Sequence, residues 1–357
     1  MYTFRSQLFN LNEVKIKLKN FQYIQKSFFY DNEWLEACFN KKKNKDNIFC
    51  VEILKNKKIL LAMFFEIKNF FFLKKLTWLF DKDLNFITPI ILDTHNFDKK
   101  EFNEILKKIF NHFKVDFIQL DKNPLMIENV INPLNYYKNI KYEKIIKIDL
   151  ENTSWKNYYE GISSSKTRQS DRRKEKLLAK KGKMNFLIAN NLNDKIKILN
   201  FTLQNKIQFL EKKKLDIKSF KNLYENLFQQ ISQNSKYICS ALELNNNIIA
   251  SIIGRVQNNN YYYLIPSTNE NENLKYSPGR ILLKKQIKWC FENNFQSFDF
   301  GPGDFEYKNK WSNDYEDYFR ILEPKSFFGN ILYFLLKIKL SYMNSDFFRY
   351  IRTIFKV

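Results

Sequence analysis

The chain has 357 residues, with 60 basic against 38 acidic side chains, 44% hydrophobic and 17% aromatic residues. That length exceeds one ordinary core and fits two domains, and so much apolar material excludes intrinsic disorder and low-complexity fibre. The net charge of +22 raises nucleic-acid binding, yet only nine of the 60 basic residues are arginine. An excess of Lys, Asn and Ile is what an AT-rich genome writes onto neutral surface positions. Arginine is the better guide, because its planar fork takes two phosphate oxygens at once. Three of the nine lie together, at Arg168, Arg172 and Arg173.

Cys38, Cys50, Cys239 and Cys290 stand singly, which reads as reduced core thiols in a cytosolic protein and not as a disulfide framework or zinc site. His95 and His112 have no second ligand at helical spacing, so no metal site or histidine triad is expected. The amino terminus lacks a targeting signal. The longest apolar stretches, Ile59–Phe65 and the run around Phe327–Leu336, fall short of the roughly 20 residues that a bilayer requires. The expected location is the cytoplasm, with peripheral contact at the inner membrane as the furthest departure.

In chain order, Asn47–Leu54 and Lys58–Ile67 flank a Lys-Asn-Lys turn and predict a hairpin; Phe86–Leu92 predicts a short strand. Apolar residues at 102, 105, 106, 109, 110 and 113 predict a helix over Lys99–Phe113, followed by strands at Val115–Leu120 and Tyr142–Leu150. Residues 162–182 open on serines suited to N-capping and end at Gly182, which predicts a strongly basic helix. A strand at Met184–Ala189, helices near 193–212 and 217–232, and strands at Tyr237–Leu244, Ile248–Val256 and Tyr261–Ser267 follow, with asparagine runs at the turns. A helix opening at Pro278, a strand at Gln296–Phe300 and another near Asp317–Leu322 complete an α+β arrangement rather than a doubly wound sheet.

Three segments can carry chemistry. Tyr276-Ser277-Pro278-Gly279-Arg280-Ile281-Leu282-Leu283 places Pro at the first helical position and a glycine where a ligand can approach the backbone. Free N–H groups of Gly279, Arg280 and Ile281 would then make an anion pocket; an ordinary helix start is the simpler reading. Phe298-Asp299-Phe300-Gly301-Pro302-Gly303-Asp304 runs on to Tyr307, Lys308 and Trp311, putting polar groups at the carboxyl end of a strand. There Tyr307 can donate a proton to a leaving thiolate and Asp304 can accept one from an amine; a capped turn with packed aromatics is equally compatible. Arg168 and Arg172, four apart on one helical face with Arg173 beside them, can grip a phosphorylated or acidic ligand, or form a solvated face. Residues 326–357 are apolar and basic, with Asp346 the single acid, and fit either a membrane interface or packing on the protein's own core.

In combination, the basic Ser165–Arg173 helix, the strand–turn–strand, Tyr-Ser-Pro-Gly-Arg-x-Leu-Leu and Phe-Asp-Phe-Gly-x-Gly-Asp-x-x-Tyr-Lys-x-x-Trp resemble the GNAT-type acyltransferases of the CelD (cellulose biosynthesis) group, related to the FemAB superfamily. The motif-bearing part is about 155–312. The resemblance implies two tandem GNAT-like domains, each a mixed, mostly antiparallel sheet flanked by helices: 1–150, 151–325 carrying the acyltransferase site, and a basic helical tail, 326–357. It implies acyl-CoA, most simply acetyl-CoA, as co-substrate with no metal. The pyrophosphate would lie at Pro278, Gly279, Arg280, Ile281 and Leu282, and the thioester arm between splayed strands 261–267 and 296–300. Catalytic roles fall by position on Asp304, Tyr307 and Lys308, and acceptor phosphates on Arg168, Arg172 and Arg173. The chain departs from the usual fingerprint at Ile281, where a second small residue is expected. The implied reaction is N-acylation of a sugar or sugar nucleotide in envelope polysaccharide synthesis. Aminoacyl-tRNA as donor, in the FemAB manner, is the alternative that admits nucleic acid as partner. A non-catalytic nucleic-acid-binding protein is a third reading, without RNP, zinc or helix-turn-helix signatures to carry it.

Overall fold

In the computed structural model, residues 1–21, 27–41, 47–80, 88–93, 97–127, 130–212, 217–269, 272–303 and 305–343 are described. Strand β1 (Thr3–Phe9) is followed by helices α1 (Leu11–Asn20) and α2 (Asn32–Lys41), then β2 (Ile48–Lys55), β3 (Lys58–Phe70) and β4 (Leu73–Trp78). After β5 (Ile90–Ile91), helix α3 (Lys99–His112) leads into β6 (Phe117–Pro124) and a small ribbon of β7 (Met126–Ile127) and β8 (Val130–Ile131). β9 (Ile140–Asp149), α4 (Trp155–Ile162) and α5 (Ser165–Ala179) come next. A second run follows: β10 (Met184–Ile188), α6 (Leu192–Lys212), α7 (Ile217–Ser232), β11 (Tyr237–Leu244), β12 (Asn247–Gln257), β13 (Asn260–Thr268), α8 (Pro278–Glu292) and β14 (Ser297–Pro302). The one-turn α9 (Glu306–Asn309), β15 (Asp314–Pro324) and α10 (Phe327–Met343) complete the described elements.

The two runs share one plan: strand, two helices, three antiparallel strands, helix, then a strand parallel to the third. In the first unit the strand order is β1-β2-β3-β4-β6-β15, with β4 and β6 parallel and the other neighbours antiparallel. In the second it is β9-β14-β13-β12-β11-β10, with β13 and β14 as the parallel pair. This is the expected α+β arrangement of two mixed, mostly antiparallel sheets flanked by helices. The units are discontinuous in sequence, where linear spans were expected. One comprises Met1–Tyr30, Asn44–Tyr142 and Tyr318–Val357; the other comprises Asp31–Lys43 and Glu143–Asp317. The segment bearing α2 therefore belongs to the second unit, and the tail helix belongs to the first.

Local chemistry explains the elements. Three hairpin turns use asparagine at left-handed positions: Asn56-Lys57 (φ 50° and 65°), Asn245-Asn246 (51° and 63°) and Asn258-Asn259 (47° and 60°). Asn10 and Glu13 make a reciprocal capping box on α1, and Asp98 accepts from the Glu101 N–H at the start of α3. The basic helix begins at Ser165 with Ser164 as its cap, within the serine cluster expected to cap it, and Ile162 closes α4 before it. Of the expected strand 86–92 only Ile90–Ile91 is seen, and residues 81–87 lie outside the described part. In the second unit one face of the sheet buries Ile146, Leu242, Ile252, Tyr261 and Phe298 with Leu282 and Ile287 of α8.

α2 is fixed in the second unit by a buried charge network. Arg255, 1% exposed, donates to Glu33 (2.9 Å), to the Tyr237 hydroxyl (2.8 Å) and to Asp31. The Asn234 amide also donates to Glu33, at 2.8 Å.

Candidate active site

The parallel pairing of β13 with β14 is short. Only Asn260–Tyr262 face Ser297–Asp299 in register; beyond Tyr262 the two strands part, while β13 continues to Thr268. Opposite, β13 carries a bulge: Gly254 pairs with Tyr263 and Ile253 with Ile265, so Leu264 is the extra residue. The fork opens into a cavity of about 490 Å³, lined from α6 by Lys206 and Phe209, from β13 by Tyr263, Ser267 and Thr268, from α8 by Gly279 and Arg280, and by Tyr307 and Trp311. Its position outside the carboxyl ends of parallel strands is where such sheets take ligands. In the first unit the corresponding β4–β6 pair is tied instead, because the buried Trp78 indole donates to Asn123 at 3.2 Å.

The residues expected from sequence separate into two groups. Gly279 lines the cavity, and a Cβ there would lie 2.8 Å from Thr268 Oγ1, so the glycine lets α8 approach β13. Pro278 occupies the first turn, while Ile281 and Leu282 are buried in the core. The three N–H groups expected free are mostly engaged: Arg280 and Ile281 both donate to the Ser277 carbonyl, at 3.0 and 3.1 Å. Gly279 alone of the three has no protein acceptor among the described residues. The Arg280 side chain, expected beside a pyrophosphate, makes a fork to Asp171 on α5 (2.7 and 2.9 Å) and stacks over Trp311 at 4.8 Å. Tyr159 also donates to Asp171, at 2.7 Å, and lies flat against Trp311 at 5.9 Å. Burial alone would raise the Asp171 carboxyl; hydrogen bonds from Arg280 and Tyr159 hold it below the usual range. This knot, with Lys284 and Lys285 on Glu175 and Lys174 on Ser277, clamps α5 to the start of α8.

Arg168, Arg172 and Arg173 do not converge. Arg168 reaches back to the Glu160 and Ser163 carbonyls at the end of α4, whereas Arg172 and Arg173 are exposed without an ion pair among the described residues. Lys308 is a buried staple rather than a cavity group. Its ammonium donates to the carbonyls of Phe300 (2.9 Å), Gly301 (3.4 Å) and Pro302 (2.8 Å). Burial brings its pKa down to about 8, against the pull of Asp299 and Glu143. Asp304 lies outside the described residues. Tyr307 does face the cavity and shares a hydrogen bond with Tyr263; burial raises its phenol, which keeps its proton at neutral pH.

Sequence reading missed Lys206 and Tyr263. Lys206 lines the cavity with its ammonium 6.0 Å from the Phe209 ring and no ion pair among the described residues. Burial lowers its pKa. Nothing in its spacing separates it from the chain's other lysines. The cavity lining holds two cations, Lys206 and Arg280, and no carboxylate among the described residues.

Residues 165–309, which span α5 through α9, match the acetyltransferase (GNAT) domain family. The chain carries a GNAT acyltransferase domain. Outside that domain match, no curated protein matches the chain. Among solved structures, the crystal structure of FemX is similar at TM-score 0.53 and 12% identity, covering 93% of this chain and 99% of that one. The C-terminal domain of a putative lysylphosphatidylglycerol synthetase from Agrobacterium fabrum gives TM-score 0.53 at 9% identity, over 90% of this chain and 95% of that chain. A conserved Bacteroides thetaiotaomicron protein of unknown function gives 0.53 at 7%, over 90% and 100%. At such identities these likenesses are of fold. The GNAT domain contains the whole β13–β14 fork, and no helix among the described residues is long and apolar enough to cross a membrane.

Proposed function

We propose that the GNAT domain transfers an acyl group, most simply acetyl, from a coenzyme A thioester to an amine of a sugar or sugar nucleotide, as expected of the CelD-like group. The observation that carries this is the β13–β14 fork opening onto Gly279 at the start of α8. Gly279 and its N–H fit a phosphate approaching the backbone, and Lys206 supplies a cation in the same cavity. Reaction forms an N–C bond as the C–S bond of the thioester breaks. Tyr307, held protonated, gives its proton to the departing sulfur and recovers one from the attacking amine, so the protons balance. The bulged β13 offers backbone N–H groups to the developing oxyanion, and binding both partners in one cavity supplies proximity.

Calorimetric titration with acetyl-CoA and free CoA tests the donor. Saturable binding by the wild type, abolished in Gly279→Asp, is expected; Tyr307→Phe should bind normally and transfer about 100-fold more slowly. A folded protein that binds neither ligand would overturn the reading. Arg280→Ala is a poor probe, because Arg280 holds Asp171.

Aminoacyl-tRNA as donor is favoured by one observation, the engagement of Arg280 and of two helix N–H groups within the protein, which leaves a reduced phosphate pocket. The +22 charge, the exposed Arg172 and Arg173, and likeness to structures named FemX and lysylphosphatidylglycerol synthetase support it. Binding of aminoacyl-tRNA that falls steeply with salt, in a protein that ignores CoA, would select it.

A further inference from the structure

The β3–β4 turn departs from every other two-residue hairpin turn described above. Where those tips carry asparagine, this one is Phe71-Phe72, closed by the Phe70–Leu73 pair. Phe71 has a φ of 53°, in the left-handed region where an aromatic residue is strained and glycine is preferred. The two rings are also in water: Phe71 is 87% exposed and Phe72 75%. A tip that is both strained and apolar has no folding rationale. Within the same unit, Phe72 meets Phe328 of α10 at 5.3 Å, and α10 exposes Phe327, Ile331, Phe334, Leu335 and Ile338. Gly329 seats this helix, since a Cβ there would lie 2.0 Å from the Asp116 carbonyl oxygen.

Cations outnumber acids around this apolar face, where Asp116 accepts from the Lys74 N–H at 2.8 Å and the buried Glu66 pairs with Lys68. Lys68, Lys74 and Lys75 flank the phenylalanines in sequence, and Lys74 is exposed. Lys337 stands on α10, and residues 326–357 carry five cations against Asp346. Exposed aromatic rings bordered by lysines match the interfacial region of a bilayer, where apolar side chains enter the acyl boundary and cations meet anionic headgroups. We propose that the β3–β4 tip and α10 form a docking surface for an anionic lipid membrane, holding the protein on the bilayer without crossing it.

The test is vesicle flotation of the full chain with phosphatidylcholine vesicles and with phosphatidylcholine–phosphatidylglycerol vesicles, at low and moderate salt. Expected is binding to the phosphatidylglycerol vesicles that weakens with salt. Phe71→Gly with Phe72→Ser removes both rings while giving the turn the residues its geometry favours, so the fold is kept. That variant should lose at least about tenfold in partitioning, and Lys74→Glu with Lys337→Glu should lose the preference for phosphatidylglycerol. Equal flotation of wild type and turn variant would overturn the proposal, as would absence of binding to either vesicle. A concentration-dependent dimer abolished by the turn variant would also overturn it, by naming a second copy as the occupant.

Discussion

Replacing Arg255 by methionine should destabilise the second unit by about 3–4 kcal/mol, near the lower end of the range for breaking a buried ion pair, because the methionine retains part of the packed stem. The guanidinium is 1% exposed and serves Asp31, Glu33 and the Tyr237 hydroxyl. Without it Glu33, 8% exposed, keeps among the described residues only the Asn234 amide as a partner, in a poorly hydrated place. Urea unfolding is the assay. It is followed by tryptophan fluorescence, since Trp34 on α2 donates to Tyr237 inside this network. Adding Glu33→Gln to the Arg255→Met background should recover about half the loss, because it removes the stranded charge. A cost below about 1 kcal/mol for Arg255→Met, or no recovery in the double variant, would refute the view that α2 is held electrostatically.

Gly254→Ala should cost more than about 3 kcal/mol, since its Cβ would lie 2.1 Å from the hydroxyl and 2.2 Å from Cζ of the buried Tyr261; thermal unfolding measures it, and Tyr261→Phe, which keeps that ring carbon, should restore little. Lys308 is depressed to about 8, so between that pH and its ordinary 10.5 the unfolded chain holds a proton that the fold releases. Stability should therefore rise with pH across that window, by roughly 2 kcal/mol between about pH 8 and 9.5, and the rise should vanish in Lys308→Met when urea midpoints are compared. The four free cysteines are buried, with Cys50 and Cys239 raised to about 12 by burial. A disulfide reagent near neutral pH should label none in the native protein and all four once it is unfolded.

The hairpins with asparagine at their tips and most helices were legible because asparagine turns, a Pro at N1 and helical periodicity are local signals. The fork between β13 and β14 was legible as a consequence of the resemblance, and Gly279 and Tyr307 with it. Strand β4 was missed because Lys74 and Lys75 break its pattern; Lys75 is nevertheless buried, with its amine on Gln119 at 3.2 Å. The role of Arg280 was not legible. Its partner Asp171 lies 109 residues away on another helix, and a free arginine and a clamped one look alike in sequence. The partners of Lys308 were hidden for the same reason, since only the backbone path of Phe300–Pro302 reveals the three carbonyls that accept its hydrogen bonds. The assignment of α2 to the second unit likewise rests on tertiary partners that no neighbouring residue announces.

The tie between Trp78 and Asn123 bears on stoichiometry and ancestry. Two runs with one connectivity are what duplication followed by divergence leaves, and in the first copy a side-chain bond closes the very gap that the second keeps open. One ligand per chain should therefore saturate the protein despite its doubled plan. A first copy tied shut in this way can carry surface features that serve other ends, such as the strained pair of phenylalanines at the tip of a turn.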